Sequence, residues 1–407
     1  MLTADFTPGI PMAHLDGRNY YRALTALTLA AMVVFCNLYV AQPMLPQLAD
    51  TFGLDASTAN WLHAGAPLAL ALSLIPWAML SDALGRRPIM LLSLASLPLI
   101  NLAILTTNQV EWFIALRILH GVMLAGFVAV AAAWMSEEIG AARLPAALGS
   151  YVAANAVGGL SGRLVGGLAS QFDSWQVPFM TLVALSCAAA MMLWWLLPRQ
   201  QNFQSVTPSL KCAWHGLMDH LHNKQLQPAF LIAGITFGTF VNLFTVLGFQ
   251  LAQAPWNLTT AQLSLLFCTY LAGSVSAQLS GRWLRYFTAP AGMQTGALFL
   301  IVGTVITLSH DLAVIVLGLL LCSVGFFQVH SLAYSWVGKQ ATRERAKASS
   351  LYLVHYYLGA SLGGFVLLPI WQLGGWPLVV ASSLVSYALV VLLAHKLQLR
   401  TQVESTA

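Results

Sequence analysis

The sequence predicts an all-α membrane protein: twelve transmembrane helices in two pseudo-symmetric six-helix bundles, with both termini cytoplasmic. Three observations carry this prediction. Of 407 residues, 58% are hydrophobic and 8% charged, with a mean hydropathy of +0.74; an ordinary soluble domain is about 45–50% apolar and about 25% charged. The apolar residues gather into runs near the roughly 20 residues that a hydrocarbon core about 30 Å thick demands of a helix. The basic residues then fall in alternate connections between those runs.

Taken in order, the runs place helices at about 22–46, 58–80, 88–106, 112–135, 146–170 and 176–197, and a second set at about 226–250, 259–280, 290–309, 312–337, 347–371 and 376–396. Arg18 and Arg22 precede the first run. Arg86 and Arg87, Arg143, then Arg199, Lys211 and Lys224, then Arg282 and Arg285, then Lys339, Arg343, Arg345 and Lys347 occupy alternate connections, and Lys396 and Arg400 follow the last run. The intervening connections hold Asp50, Asp55, Glu111, Asp173 and Asp311 and no basic residue. Lys and Arg collect on the cytoplasmic side of spanning segments, so this alternation sets the orientation. A wrong number of helices would break it. The units that follow are a cytoplasmic tail (1–21), a six-helix bundle (22–198), a cytoplasmic linker (199–225) made polar and punctuated by Pro208, a second bundle (226–397) and a tail (398–407).

Several function classes are disfavoured by the same reading. Residues 1–21 carry Asp5, Asp16 and Arg18 and no apolar core ending in small residues, so the first span acts as its own signal. Cys36, Cys187, Cys212, Cys268 and Cys322 are odd in number and widely spaced, which suits packing rather than disulfides or a metal cluster. The net charge of +5 is distributed as a membrane-surface pattern, not a nucleic-acid patch. No two-His metal spacing with a carboxylate, no G-x-S-x-G and no phosphate loop is present, so neither metal, cofactor nor enzyme activity is expected.

The two halves echo each other. Gly126–Val130 and Gly325–Val329 both read G-F-x-x-V, and SYVAANAVG from Ser150 parallels LYLVHYYLG from Leu351. Both offsets are near 200 residues, as parallel half-repeats require.

The stretch A-M-L-S-D-A-L-G-R-R, Ala78 to Arg87, resembles the loop signature of the major facilitator superfamily, G-x-x-x-D-R/K-x-G-R-R/K. Pro43 and Pro46 give that family's P-x-x-P, Arg117 with Gly121 its R-x-x-x-G, and Gly149, Gly158, Gly162, Gly166 and Gly167 resemble the antiporter-type glycine motif. With the run SSLYLVHYYLGASLGG, the chain is similar to the bacterial drug and sugar efflux branch of twelve-span drug:proton antiporters. The resemblance covers nearly the whole chain. It implies a major facilitator fold in the bacterial inner membrane, most simply a monomer in lipid, with alternating access and proton-coupled efflux of a drug, sugar or other metabolite. A passive facilitator or importer of a small anion or sugar is the alternative. It also implies that Asp82, Gly85, Arg86 and Arg87 form a latch, with Asp82 meeting the start of the eleventh helix at Ala348, Ser349 and Ser350 when the halves close on that face. Two positions depart from the signature: Ala78 stands for its glycine, and Ala83 for a basic residue.

Inside the predicted spans the ionic groups are few. All thirteen Asp and Glu fall in loops, termini or span ends, leaving Arg117 and Arg163 as the ionic side chains well within the hydrophobic runs. Such residues are costly and usually face a cavity or a partner. Arg163 stands where the family's motif has proline; it either snorkels over roughly 10 Å to the outer interface or faces the cavity. If both arginines face the cavity, an anionic or polyhydroxy cargo suits them better than a cationic drug. Histidine is the remaining proton carrier near neutral pH. Of His63, His120, His330 and His355, the candidates for proton coupling are His330 and His355. Cargo polarity is assigned to Asn37, Gln42, Asn155, Asn242 and Gln278, and aromatic walls to Phe237, Phe240, Phe326 and Phe327. Gly158, Gly162 and Gly166 form one small stripe and Gly273, Ala277 and Gly281 another; small-xxx-small faces permit close helix approach, and the resemblance implies that the two pair across the halves.

Overall fold

A computed structural model describes residues 15, 17–172, 174–205, 217–341 and 345–406. The N-terminal tail before Leu15, Asp16, Asp173, the linker segment with Pro208, Lys211 and Cys212, and Arg343 lie outside the described residues. Among those described, regular structure is helical throughout. Within the described residues, ten helices are long and apolar enough to cross a membrane.

The first apolar run breaks early. Helix α1 (Gly17–Tyr39) stops seven residues short of the expected 46, and residues 40–44 form tight turns before α2 (Leu45–Phe52). Pro43 and Pro46 each lack an N–H and so remove ladder bonds at this point, and Pro46 stands in the first turn of α2, where that bond is not needed. Asn37 is therefore helical, whereas Gln42 sits in the turn and not in a helix. The short α3 (Ala56–Ala59) is capped by Asp55, whose carboxylate accepts from Ser57 N at 2.9 Å and Thr58 N at 3.2 Å. It leads into α4 (Trp61–Leu84), and Gly85 alone separates α4 from α5 (Arg86–Thr106). Its φ of +102° is a conformation that side chains with a Cβ rarely adopt.

The first half continues with α6 (Val110–Val128), α7 (Ala131–Glu138), α8 (Leu144–Ala169) and α9 (Gln176–Leu196). The second half comprises α10 (Gln227–Ala252), α11 (Thr260–Leu265), a 3-10 stretch over Leu266–Thr269, α12 (Tyr270–Trp283), α13 (Ala289–Ile306), α14 (Leu312–Gln340) and α15 (Arg345–Thr406). At 62 residues α15 would run about 93 Å unbroken. It bends instead at Gly374 and Gly375, the latter at φ +64°, with Pro377 following, so it serves as two helices.

Packing repeats between the halves. In the first, α1 lies against α8, α4 against α6, and α5 against α6 and α9; in the second, α10 lies against α15, α12 against α14, and α13 against α14 and α15. The closest contacts repeat too. A Cβ at Gly158, Gly162 or Gly166 would lie 2.4, 2.3 or 2.1 Å from the carbonyl oxygens of Met32, Cys36 and Val40 on α1 and the turn after it. About 200 residues later, Gly359 and Gly363 bear on the backbone of Gly234 and Gly238 in α10 in the same way.

This corrects the expected glycine seam in part: spans five and eight do meet across the halves, Gly167 against Ser264, but not through the two stripes. The stripe on α8 seats α1 of its own half, not the helix at 270–283, and Gly273 seats Ser323 and Phe327 of α14, also within its half; a Cβ at Gly281 would meet nothing within 4 Å. The four-residue spacing selects a face for close approach but carries no information about which helix fills it. Between halves, α4 meets α15, α8 meets α11, and α2 meets α10.

Candidate functional site

Because α1 ends at Tyr39, its last carbonyls need donors. Arg117 of α6 supplies them: Nη1 donates to Asn37 O at 3.1 Å, Nη2 to Leu38 O at 2.9 Å, and Nε to Leu62 O of α4 at 3.2 Å. Its charge also sits where a helix C-terminus favours a cation. The side chain is fully buried, and His120 Nδ1 lies 3.0 Å from Nη1, which makes that nitrogen the acceptor and puts the imidazole proton on Nε2. Arg117 is thus occupied by main chain. The expectation that it faces cargo is corrected.

Asn37 is likewise consumed: Nδ2 donates to Val33 O at 2.7 Å and Ser186 Oγ at 3.1 Å, and Oδ1 accepts from Asn101 at 2.8 Å. Asn242 staples α10 to α15 by donating to Gly238 O and Ala360 O, both at 2.8 Å. Both asparagines are packing residues, since a polar group buried between helices must find its partners there. Asn155 is half-buried one turn from Tyr151, whereas Gln278 is exposed on α12.

Arg163 does not snorkel. It is 2% exposed, with Nε donating to Gln42 Oε1 at 2.8 Å and Nη1 to Gly159 O at 2.9 Å. Its guanidinium lies 4.0 Å from the ring centre of Tyr39, 4.7 Å from Phe267 and 5.0 Å from Tyr270. The last two rings belong to the opposite half, so the cation sits at the seam, held by π faces and one amide. Snorkelling is ruled out because Gly159, Gly162 and Gly166 bring α1 and its turn so close that the side chain has no lipid-facing path.

Gln42 completes this arrangement. Its Nε2 donates across the seam to Val241 O and Thr245 Oγ1, both at 3.0 Å. Nearby, Ser361 donates to Ala64 O at 2.9 Å, Ser57 to Gln372 Oε1 at 3.1 Å, Trp61 packs on Phe365 at 4.6 Å, and Gly167 abuts Ser264. All of these cross-half contacts lie on the face opposite the arginine-rich loops.

On the arginine-rich face, charge stays within one half. Arg86 pairs with Asp82 at 2.5 Å and with Glu137 at 2.8 Å, and donates to Ser81 Oγ at 2.6 Å. Arg87 donates to Leu197 O at 3.1 Å and Trp194 O at 2.8 Å, at the end of α9. Asp82 therefore does not meet Ala348, Ser349 or Ser350 here, and its side chain is 42% exposed. The halves are joined by hydrogen bonds on the other face, and among the described residues the ion pair of Asp82 is with Arg86 of its own half.

Three residues at this loop escape the sequence reading. Gln200 accepts from Arg86 N at 2.9 Å and Arg87 N at 3.1 Å, capping α5; Glu137 holds Arg86; and Glu138, fully buried, accepts from Gln201 N at 2.8 Å and Asn202 N at 2.9 Å. The adjacent carboxylates at the end of an apolar run are the signal that could have found two of them.

His330 and His355 are not brought together. His330 Nδ1 lies 3.0 Å from Tyr352 Oη, whereas His355 Nδ1 donates to Leu351 O at 2.8 Å and its ring stacks on Phe230 at 5.2 Å. Phe237 stacks on Tyr356 at 3.8 Å and Phe240 on Phe326 at 4.1 Å, forming a buried aromatic column within the second half.

Two helix bundles with a closed seam on one face and a self-contained charged loop on the other define a multi-pass membrane transporter architecture. The family model described as Major Facilitator Superfamily matches residues 27–364, and the chain belongs to that superfamily. It is 33% identical to the inner membrane transport protein YnfM of Escherichia coli over 362 residues, 88% of this chain and 86% of that one. It is 32% identical to the uncharacterized MFS-type transporter YybF of Bacillus subtilis, covering 86% and 87%. Among solved structures, a bacterial homologue of the human lysosomal transporter Spinster, in an inward-facing and unoccupied conformation, aligns with a TM-score of 0.71 at 18% identity, covering 95% and 96%. The chain is a multi-pass transporter of the bacterial inner membrane and not an enzyme.

Proposed function

We propose that the chain is a secondary transporter that works by alternating access and exports a small molecule in exchange for protons, as a monomer, with twelve spanning helices and both termini cytoplasmic. The twelve comprise the ten apolar spans, the glycine-rich α8, and one more from the division of α15 at Gly374–Gly375. The units are the two bundles of 22–198 and 226–397, the linker 199–225 and the tails. The observation that supports this reading is the contrast between faces. Contacts between halves at Gln42, Ser361 and Gly167 are small side-chain contacts on one face, while Asp82 on the other is held by its own Arg86. A carboxylate that can change partner from Arg86 to an opposed helix N-terminus biases one of two arrangements.

The test follows internal pH in energised everted vesicles on addition of cationic dyes, sugars and organic anions. Cargo-dependent proton release by wild type, lost in Asp82→Asn with insertion intact, is expected; undiminished release in that variant refutes the latch. A second reading, a passive facilitator or importer of an anion or sugar, is favoured by one observation: His330 and His355 are each held by a partner of their own half, Tyr352 and Leu351 O. Counterflow without any pH change would select it.

A further inference from the structure

Arg163 is a buried cation in the membrane-spanning core that the packing of the described residues leaves without a counter-charge. Among the described residues no carboxylate pairs with it; its partners are one amide oxygen, one main-chain carbonyl and three rings. A guanidinium at this depth is expensive unless an anion answers it. Arg117, in the same half, shows the contrast: every one of its nitrogens is answered by main chain or by His120. On Arg163 the edge formed by Nε and Nη2 has a single occupant, the Gln42 oxygen on Nε, and Nη2 donates to no described residue. That edge is the one a carboxylate grips with two parallel bonds.

Resting on the transporter reading above, we propose that Arg163 is the recognition site for a small carboxylate cargo, with Gln42 as the group that the cargo displaces. The two roles are joined by one amide. Gln42 Oε1 is fixed by Arg163 while its Nε2 holds Val241 and Thr245 of the opposite half. A carboxylate taking the Nε and Nη2 edge removes the bond that orients the Gln42 amide. The cross-seam pair to Val241 O and Thr245 Oγ1 then loses its alignment, and the face closed at Gln42 is released. Tyr39 from one half and Phe267 and Tyr270 from the other bound the same guanidinium, so an organic group attached to the carboxylate meets aromatic surface. Cargo recognition and gate release thereby share a single side chain.

The experiment uses the full chain in nanodiscs and three probes with one ring and different charge: benzoate, benzamide and benzylamine. Calorimetric titration measures binding, and counterflow in proteoliposomes measures transport separately. Benzoate is expected to bind wild type with benzamide and benzylamine at least tenfold weaker. Arg163→Gln, which removes the charge at similar length, is expected to weaken benzoate at least tenfold, and Arg163→Lys, which keeps the charge without the fork, to fall between. Gln42→Ala is expected to act in the opposite direction, tightening benzoate about tenfold, because the anion no longer competes with the amide. A merely structural Gln42 would not do this, and the variant keeps the test informative if Arg163→Gln fails to fold. Equal binding of the three probes by wild type, unchanged benzoate affinity in Arg163→Gln, or unchanged or weaker affinity in Gln42→Ala overturns the carboxylate site. Saturable counterflow of other solutes without benzoate binding removes the site and leaves the transporter reading intact; benzoate binding with no counterflow of any solute does the reverse.

Discussion

A Cβ added at Gly162 isolates the helix contact that sets the geometry of the first half. It would stand 2.3 Å from Cys36 O and 2.7 Å from Cys36 Cα, main-chain atoms that no rotamer change can move. Ordinary contact lies beyond about 3.4 Å, so α1 and α8 must part by roughly 1 Å, and overpacking of this kind costs about 1–3 kcal/mol. Gly→Ala also raises helix propensity by about 1 kcal/mol, which obscures the clash in a single variant. Gly281→Ala supplies the correction: it has the same propensity gain with nothing within 4 Å. The difference between the two variants therefore reports the clash alone, about 1–3 kcal/mol, or roughly 5- to 150-fold in the folded-to-unfolded ratio. Titration of each purified protein with SDS, followed by circular dichroism, measures it. Gly162→Ala as stable as Gly281→Ala would refute the close approach of α1 and α8. Gly162→Leu, with a longer side chain against the same carbonyl, is expected to stop transport as well as destabilise.

Two further expectations concern buried and exposed charge. Arg117→Met leaves Asn37 O, Leu38 O and Leu62 O without their donor; at about 1–3 kcal/mol for each buried group left unmet, the SDS midpoint should fall strongly, with Arg117→Lys intermediate, and a near-wild-type midpoint for Arg117→Met would remove the capping role. The Thr58 hydroxyl, 2.5 Å from Asp55, holds that carboxyl below the ordinary aspartate range, so its contribution is fully present above the unfolded value and lost as pH falls through the folded one. Asp55→Ala should cost about 0.5–2 kcal/mol at neutral pH, with the deficit shrinking in acid; a deficit independent of pH would contradict the linkage.

How much of this is readable in the sequence depends on the range of the information needed. Apolar runs are local signals, and most of them coincide with helices, including the bend near Gly374, although the first overshoots α1 by seven residues. The early end of α1 is not legible in this way: Pro43 and Pro46 stand inside the first apolar run, but Pro67 and Pro76 stand inside α4, which continues through both, so proline alone does not mark the break. What periodicity cannot supply is a partner. The stripe of Gly158, Gly162 and Gly166 announces a close neighbour but fits α1 and α12 equally well on spacing alone; only the fold brings Met32, Cys36 and Val40 against it.

The same limit separates the two membrane arginines, which look alike in sequence. Arg117 lies at the level where α1 has run out of its own donors, so main-chain carbonyls answer its charge. Arg163 lies where two halves meet, and what answers it there is a neutral amide that is itself shared across the seam. One charge is committed to holding a helix end, and the other is left on a hydrogen bond that an anion can replace. That difference in what each guanidinium would lose, three main-chain carbonyls against one side-chain oxygen, is why the cargo argument attaches to Arg163 and not to Arg117.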